Sequence, residues 1–468
     1  MRLNKDILKL AIPSILANIT IPLVGMVAVA IAGHLEGNAA VLIGGITIGS
    51  MLFDLLYWNF FFLRIGTGGL TAQSLGREDY KECANIFSRA IGIAIVIALC
   101  ILAIQWVFVD FAFTFIQCSP EVREIASQYF FIRVWAAPAT LSLMSFKGWF
   151  IGMQDSMSSM ITDLVVNVVN IIVSIAVAMG FKIGSFHFTG IGVIGVAVGT
   201  VVAQYTGLAV AYLILGIKYR KLIFKDYSLA DFFSSFKGGE MRKFFSLNTN
   251  LFIRSLCFIG IYMGFTTLSA RHGDVLLASS SILMKIMLLF SYITDGFAYA
   301  GEALAGKYIG AQNKDMFSKT VRYTFVWSMA IAAMFMVVYA VGGVPILKLL
   351  TNDMIVVETS SLYLAWLLLM PIVGCAAFTW DGIYIGATAS KDMRNAMLWA
   401  TLFFFVIYFL GVRALEYLGV SQVMQNGLPD RFSILAIHIL MGAYFMHLLI
   451  RTLYLSFGYK NLLERSFI

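Results

Sequence analysis

Long apolar runs separated by short polar connections make up nearly the whole chain. The runs fall at about 10–33, 40–63, 87–116, 123–150, 159–181, 190–216, 244–270, 276–300, 321–350, 358–386, 393–418 and 432–456. A helix needs about 20 residues to cross the hydrocarbon core of a bilayer. The pattern therefore predicts an all-α membrane protein with about twelve transmembrane helices. Several runs exceed that length, which implies tilt or extension beyond the bilayer. The ten-residue alternation of a membrane-spanning barrel does not occur.

The polar connections differ in charge. One set carries Arg2, Lys5 and Lys9; Arg77 and Lys81; the segment 217–246; Lys307, Lys314, Lys319 and Arg322; Lys391 and Arg394; and Lys460 and Arg465. The other set, including HLEGNAA, CSPEVRE, GSFHFTG, RHGD, TNDM and the stretch from Glu416 to Asp430, is poor in Lys and Arg. The positive-inside rule puts the first set, and with it both termini, in the cytoplasm, which fits an even number of spans in an inner (plasma) membrane.

Composition sharpens this picture. Hydrophobic residues make up 60% of the chain, charged residues 12%, and mean hydropathy is +0.87. A soluble domain carries about twice that charge, so the solvent for most of this surface is lipid. The opening MRLNKDILKLAIP runs straight into an apolar span, so no removable signal peptide is expected. The net charge of +8 sits in loops between spans, as membrane orientation requires, and does not suggest a nucleic-acid partner. Cys83, Cys100, Cys118, Cys257 and Cys375 are scattered, with neither a CxxC pair nor a Cys/His cluster, so a metal site is not expected.

The segment 217–246 is the longest polar connection and divides the spans six and six. Residues recur at a spacing of 304 − 70 = 234, half of the 468 residues: Leu70 and Leu304, Gly76 and Gly310, Gly148 and Gly382, Ile151 and Ile385, Gly152 and Gly386, Ser156 and Ser390. Pro138 and Pro371 match with a slip of one. This predicts an internal duplication into an N-terminal half (1–216), a connecting loop (217–243) and a C-terminal half (244–468). With six spans per copy, the copies would be related by a pseudo-twofold axis along the membrane normal. Two bundles rocking about a substrate path suit alternating access.

The segment FFLRIGTGGLTAQSLGRED at 61–79 resembles the second helix and following loop of multidrug and toxic compound extrusion (MATE) transporters, in their DinF-like branch. DGFAYAGEALAGKYIGAQNKD at 295–315, WDGIYIGATASKDMRNAM at 380–397, IPSILANITIPLVGMVAVAIAGHL at 12–35, and NVVNIIVSIAVAMG with GIGVIGVAVGTVVAQ extend the likeness over nearly the whole chain. The resemblance implies an ion-coupled antiporter of two six-helix lobes that exports amphipathic, often cationic, compounds. Two positions depart from the family pattern: Ala28 and Ser174 stand where the family's N-terminal half has the carboxylates that bind its coupling ion. Neither side chain ionises at physiological pH, so the coupling ion, H⁺ or Na⁺, is not specified.

Charges within spans are costly and demand an account. Asp295 and Glu302 are nearly two turns apart on one helix face, and Asp381 lies in the tenth span. These acids either bind the coupling ion or pair with Lys285, Lys307 or backbone. Asp54, about 15 Å along its helix from Arg64, is a further coupling candidate, with Lys147 as the cation able to neutralise it. Arg64 is read as a snorkelling, structural cation. Asn167, Asn170 and Ser174 share one helix face and either line a hydrated cavity or join helices. Tyr57, Gln73 and Tyr299 are weaker candidates for the cavity wall. The 23 Met and 39 Phe suit an adaptable apolar cavity, or simply packing and lipid contact.

The expected function is secondary-active export of small amphipathic or cationic substrates by H⁺ or Na⁺ antiport, by a protein that acts as a monomer in contact with membrane lipid and holds no cofactor. The alternative is a flippase for a lipid-linked amphiphile on the same fold. A membrane enzyme is not expected, since no catalytic constellation or large loop appears. No GxxxxGK[ST] motif is present, so an ion gradient rather than ATP is the expected energy source.

Overall fold

The computed structural model describes every residue except 1, 36–37, 115, 117, 184–185, 226, 352, 421–428 and 468. Readings of the polar loops that involve those positions lie outside the described residues. The chain divides into two compact units, Ile12–Asn248 and Met1–Ala11 with Thr249–Ile468. The division falls a few residues after the expected loop, and it assigns that loop to the first unit.

Helices α1 (Arg2–His34), α2 (Ala39–Trp58), α3 (Phe62–Gly76), α4 (Tyr80–Phe113), α5 (Pro120–Arg133), α6 (Ala137–Gly152) and α7 (Ser156–Met179) come first. A short antiparallel hairpin, β1 (Gly180–Ile183) and β2 (Phe186–Thr189), pairs Phe181 with Phe188 and Lys182 with His187. Gly180, at φ +82°, ends α7 and turns the chain into that hairpin. Helix α8 (Val193–Ile214) runs into a π-helical turn at Leu215–Tyr219, and α9 (Leu229–Ser235) follows.

The loop joins the first unit through polar contacts. Buried Arg89 donates from Nε to the Ser235 carbonyl at 2.6 Å and pairs with Glu82 at 2.6 Å. The Tyr227 hydroxyl bonds Asn85 and Ser88, and Lys81 pairs with Asp231 at 2.9 Å. Hydrogen bonds from Ser228, then the Lys81 pair, hold the Asp231 carboxyl below the usual carboxylate range.

The second unit is built from α10 (Gly239–Ala270), α11 (Asp274–Gly310), α12 (Lys314–Leu350), α13 (Met354–Ser361), α14 (Leu364–Gly386), α15 (Ser390–Tyr417) and α16 (Arg431–Ser466), with α10 beginning in the first. Its core packs Leu283, Met287 and Phe290 of α11 against Leu367 and Met370 of α14 and Leu440 and Met441 of α16.

Eleven described helices are long and apolar enough to span a membrane. The remaining expected span, 123–150, is crossed by two shorter helices, α5 and α6, with a 3₁₀ turn at Val134–Ala136 between them. Pro138, which lacks a backbone N–H, sits in the first turn of α6, where a helix tolerates it.

The duplication recurs in backbone geometry. A Cβ on Gly148 would lie 2.1 Å from the Arg64 carbonyl oxygen, and one on Gly382 would lie 2.1 Å from that of Ala298. Gly152 meets Gly68 O at 2.6 Å, and Gly386 meets Glu302 O at 2.4 Å, in the same way. Residues 64, 68, 148 and 152 correspond to 298, 302, 382 and 386 at the spacing of 234. Each pair of glycines thus lets α6 approach α3, and α14 approach α11, closely enough for one backbone to touch the other. Among the described residues, the four non-glycine residues with positive φ are also two such pairs: Glu78 with Gln312, and Gln154 with Thr388. Asp79 caps α4 through Glu82 N as Asn313 caps α12 through Met316 N.

Candidate functional site

In the second unit, Glu302 lies on the packed face of α11 with 0% of its surface exposed. The helix brings Asp295, half-buried, and Tyr299, buried, onto the stretch that precedes it. Two turns of 3.6 residues separate the two acids, so their side chains leave the helix in nearly the same direction. The small residues Gly301, Ala303, Ala305 and Gly306 around Glu302 account for the burial, since they let α12 and α14 close on this part of α11.

Asp381 has a different environment. Its Oδ2 accepts from Arg254 Nη2 of α10 at 2.6 Å and from Arg451 Nη2 of α16. Arg451 is buried, and Asp381 and Arg254 are mostly so. The α14–α16 seam is reinforced on either side by Trp380 Nε1 donating to Ser456 Oγ at 2.8 Å and by the Tyr384 hydroxyl donating to the Leu455 carbonyl at 2.6 Å. Asp381 therefore stands between two guanidinium groups, one on each neighbouring helix. Arg451, which lies late in a long apolar helix, was not singled out from sequence; its signal is a lone Arg among Leu, Ile and Tyr.

In the first unit, Lys147 pairs with Asp163 of α7 at 2.7 Å. The charge that acts on Asp54 is that of Arg133 on α5, rather than Lys147. The Arg133 guanidinium lies 3.9 Å from the centroid of the Phe53 ring and donates to Ser50 Oγ at 3.3 Å. Phe53 in turn stacks on buried Tyr57, with 3.9 Å between centroids. Asp54, Tyr57 and Arg133 thus form one neighbourhood.

Asn170 donates to Thr200 Oγ1 at 3.2 Å, and Ser174 donates to Asn170 Oδ1 at 3.1 Å. Gly199 leaves room for this seam, because a Cβ there would meet Ser174 Oγ at 2.2 Å. Asn167, half-buried, donates to Thr20 Oγ1 of α1 at 2.5 Å. These neutral groups join α7 to α8 and to α1. Ala28 packs at the edge of an apolar cluster that contains Ala178, Val193 and Val196. Gln73 is half-buried on α3. Arg64, expected to snorkel, is only 1% exposed.

Two titratable groups lie between spans. Burial works against the Asp155 carboxylate, but bonds from Ser158, Lys218 and Tyr219 outweigh it and hold the group below its ordinary range. Burial pushes His272 below the ordinary imidazole value, and its Nε2 lies 2.9 Å from the Tyr408 hydroxyl.

Known proteins share this fold. The MatE family profile matches residues 13–175 and 251–411, one copy of the repeat each. The chain is 31% identical to the DNA damage-inducible protein F of Escherichia coli (strain K12), over 84% of this chain and 83% of that protein. It is 20% identical to a probable multidrug resistance protein NorM of Thermotoga maritima, over 77% and 75% of the two chains. Among solved structures, a MOP superfamily transporter from Pyrococcus furiosus, described as having a binding pocket of reverse polarity, superposes with a TM-score of 0.81 at 14% identity, covering 98% of this chain and 96% of that one.

Proposed function

From the premise that this chain belongs to the MATE family, in its DinF-like branch, we propose that it is driven by an ion gradient and binds its coupling ion at Glu302 and Asp295. It is a transporter and not an enzyme, and its relatives support multidrug efflux as its role. The observation that carries the coupling assignment is the complete burial of Glu302 within a span. It lies on the helix face it shares with Asp295, and Asp381 is already held by two arginines. An acid already neutralised by a guanidinium gains little from Na⁺ or H⁺. Uptake of a proton or Na⁺ lowers the cost of holding a carboxylate within a span.

The cargo in this reading is a small amphipathic or cationic compound, moved by alternating access between the two halves. The protein acts as a monomer in the plasma membrane with both termini in the cytoplasm, as the distribution of Lys and Arg supports. The test is efflux of a fluorescent organic cation from proteoliposomes with ΔpH or ΔNa⁺ imposed separately. One gradient is expected to drive efflux in the wild type, and Glu302→Gln is expected to abolish that dependence while the protein remains folded. Efflux indifferent to both gradients would overturn the reading and favour a lipid-like cargo.

A further inference from the structure

We propose that the second unit contains a binding site for a small monovalent anion, formed by Arg451 with Arg254 and bordered by His447. The inference is independent of the cargo and of the coupling ion.

It begins with an imbalance of charge. Arg254 and Arg451 both bond the same oxygen of Asp381, Oδ2. Guanidinium and carboxylate commonly meet through two parallel bonds. Here two cations share one carboxylate oxygen, and the charges that act on Arg451 are Asp381 and Arg254. One carboxylate cannot offset two guanidinium groups, and a surplus cation is costly in so buried a place.

The hydrogen bonds show the same deficit. Arg451 is 2% exposed, and its Nη1 is buried with no hydrogen-bond partner among the described residues. One turn earlier on α16, His447 is 1% exposed; its Nδ1 bonds the Tyr444 carbonyl, and its Nε2 is likewise buried and unpartnered among the described residues. Since a carbonyl only accepts, Nδ1 carries the proton and Nε2 presents a lone pair. The charge on Arg451 acts on His447, so the two groups share one locale. A buried guanidinium N–H without an acceptor costs more than an ordinary missing hydrogen bond.

A small, partly hydrated anion satisfies every part of this deficit. The anion accepts from Arg451 Nη1 and balances the second guanidinium, while a water it carries donates to His447 Nε2. A cation fails on charge, and water alone leaves the surplus charge in place. The chemistry fits either chloride or the carboxylate of a small acid.

The experiment is thermal unfolding of the purified full chain in detergent, in sodium chloride, sodium acetate or sodium gluconate at equal concentration and ionic strength. Gluconate serves as the anion too bulky for the site. A bound anion stabilises by mass action, so the midpoint is expected to rise with chloride or acetate concentration over gluconate. Protection by chloride identifies an inorganic ion as the ligand, and protection by acetate alone identifies a carboxylate. Arg451→Gln is expected to remove the dependence. If that variant does not fold, Arg254→Gln serves instead, since it leaves Arg451 and Asp381 as a balanced pair. Equal midpoints for the wild type in all three salts would overturn the proposal, as would an anion dependence that persists in either variant.

Discussion

The two copies of the repeat keep the same backbone contacts and differ in charge. Gly148 touches the Arg64 carbonyl as Gly382 touches that of Ala298, and the paired turns at Glu78 and Gln312 share a left-handed conformation. At one of the matched positions, however, the first copy has Lys147, paired with Asp163, and the second has Asp381, paired with Arg254 and Arg451. Polarity has reversed, and the partner helices have changed. Close helix approach requires a particular backbone and tolerates only glycine. A charge requires only some compensating neighbour, which many positions can supply. After duplication the first constraint holds both copies alike, while the second lets them diverge.

Substitutions can break this comparison at graded cost. The largest effect is expected where backbones touch: Gly148→Ala and Gly382→Ala should each cost about 3 kcal/mol or more, because carbonyl oxygens at 2.1 Å cannot move aside as a side chain can. Gly260→Ala, where nothing lies within 4 Å, should be neutral or stabilising by about 0.5–1 kcal/mol. Thermal unfolding in detergent measures all three, and similar losses at Gly260 and Gly382 would contradict the account of the packing.

The reversed ion pairs rank next. Asp381→Asn leaves two arginines facing each other and should cost about 3–5 kcal/mol. Asp163→Asn uncovers Lys147, which is better exposed, and should cost about 1 kcal/mol. Comparable losses would show that the two pairs are equivalent after all.

A smaller effect is expected at the start of α7. Asp155 caps that helix, whereas its counterpart Ala389 offers no side-chain cap. Because its partners hold the Asp155 carboxyl below the unfolded value, its stabilisation is present above about pH 4 and is lost as pH falls through the lowered value. The stability difference between wild type and Asp155→Asn should be constant near neutrality and shrink in acid. A difference that grows on acidification would reverse the sign. The smallest effect belongs to the turns, where Thr388→Gly should stabilise by up to about 1 kcal/mol through relief of its positive φ.

Much of the fold was legible because lipid imposes a simple rule on the sequence. Every backbone group must be bonded within the protein, so long apolar runs can only be helices. The repeat was legible through Gly148, Gly152, Gly382 and Gly386, whose identity is fixed by backbone contact. The hairpin at 180–189 was not, because its Phe and His residues interrupt an apolar run without the usual length of a strand pair. Among candidate residues, Glu302 stood out as an acid within a span, and the structure places it in a wholly buried position. The partners of Asp54 and Asp381 were hidden, since Arg133 and Arg451 lie 79 and 70 residues away in sequence and neither spacing nor periodicity links them.

The most direct test of the difference between the copies is gradient-driven efflux from proteoliposomes, comparing Glu302→Gln with the double variant Lys147→Gln/Asp163→Asn. The account predicts that the double variant keeps the wild-type dependence on ΔpH or ΔNa⁺ and that Glu302→Gln loses it. Loss of that dependence in the double variant, with Glu302→Gln unaffected, would contradict the account and move the coupling to the first copy.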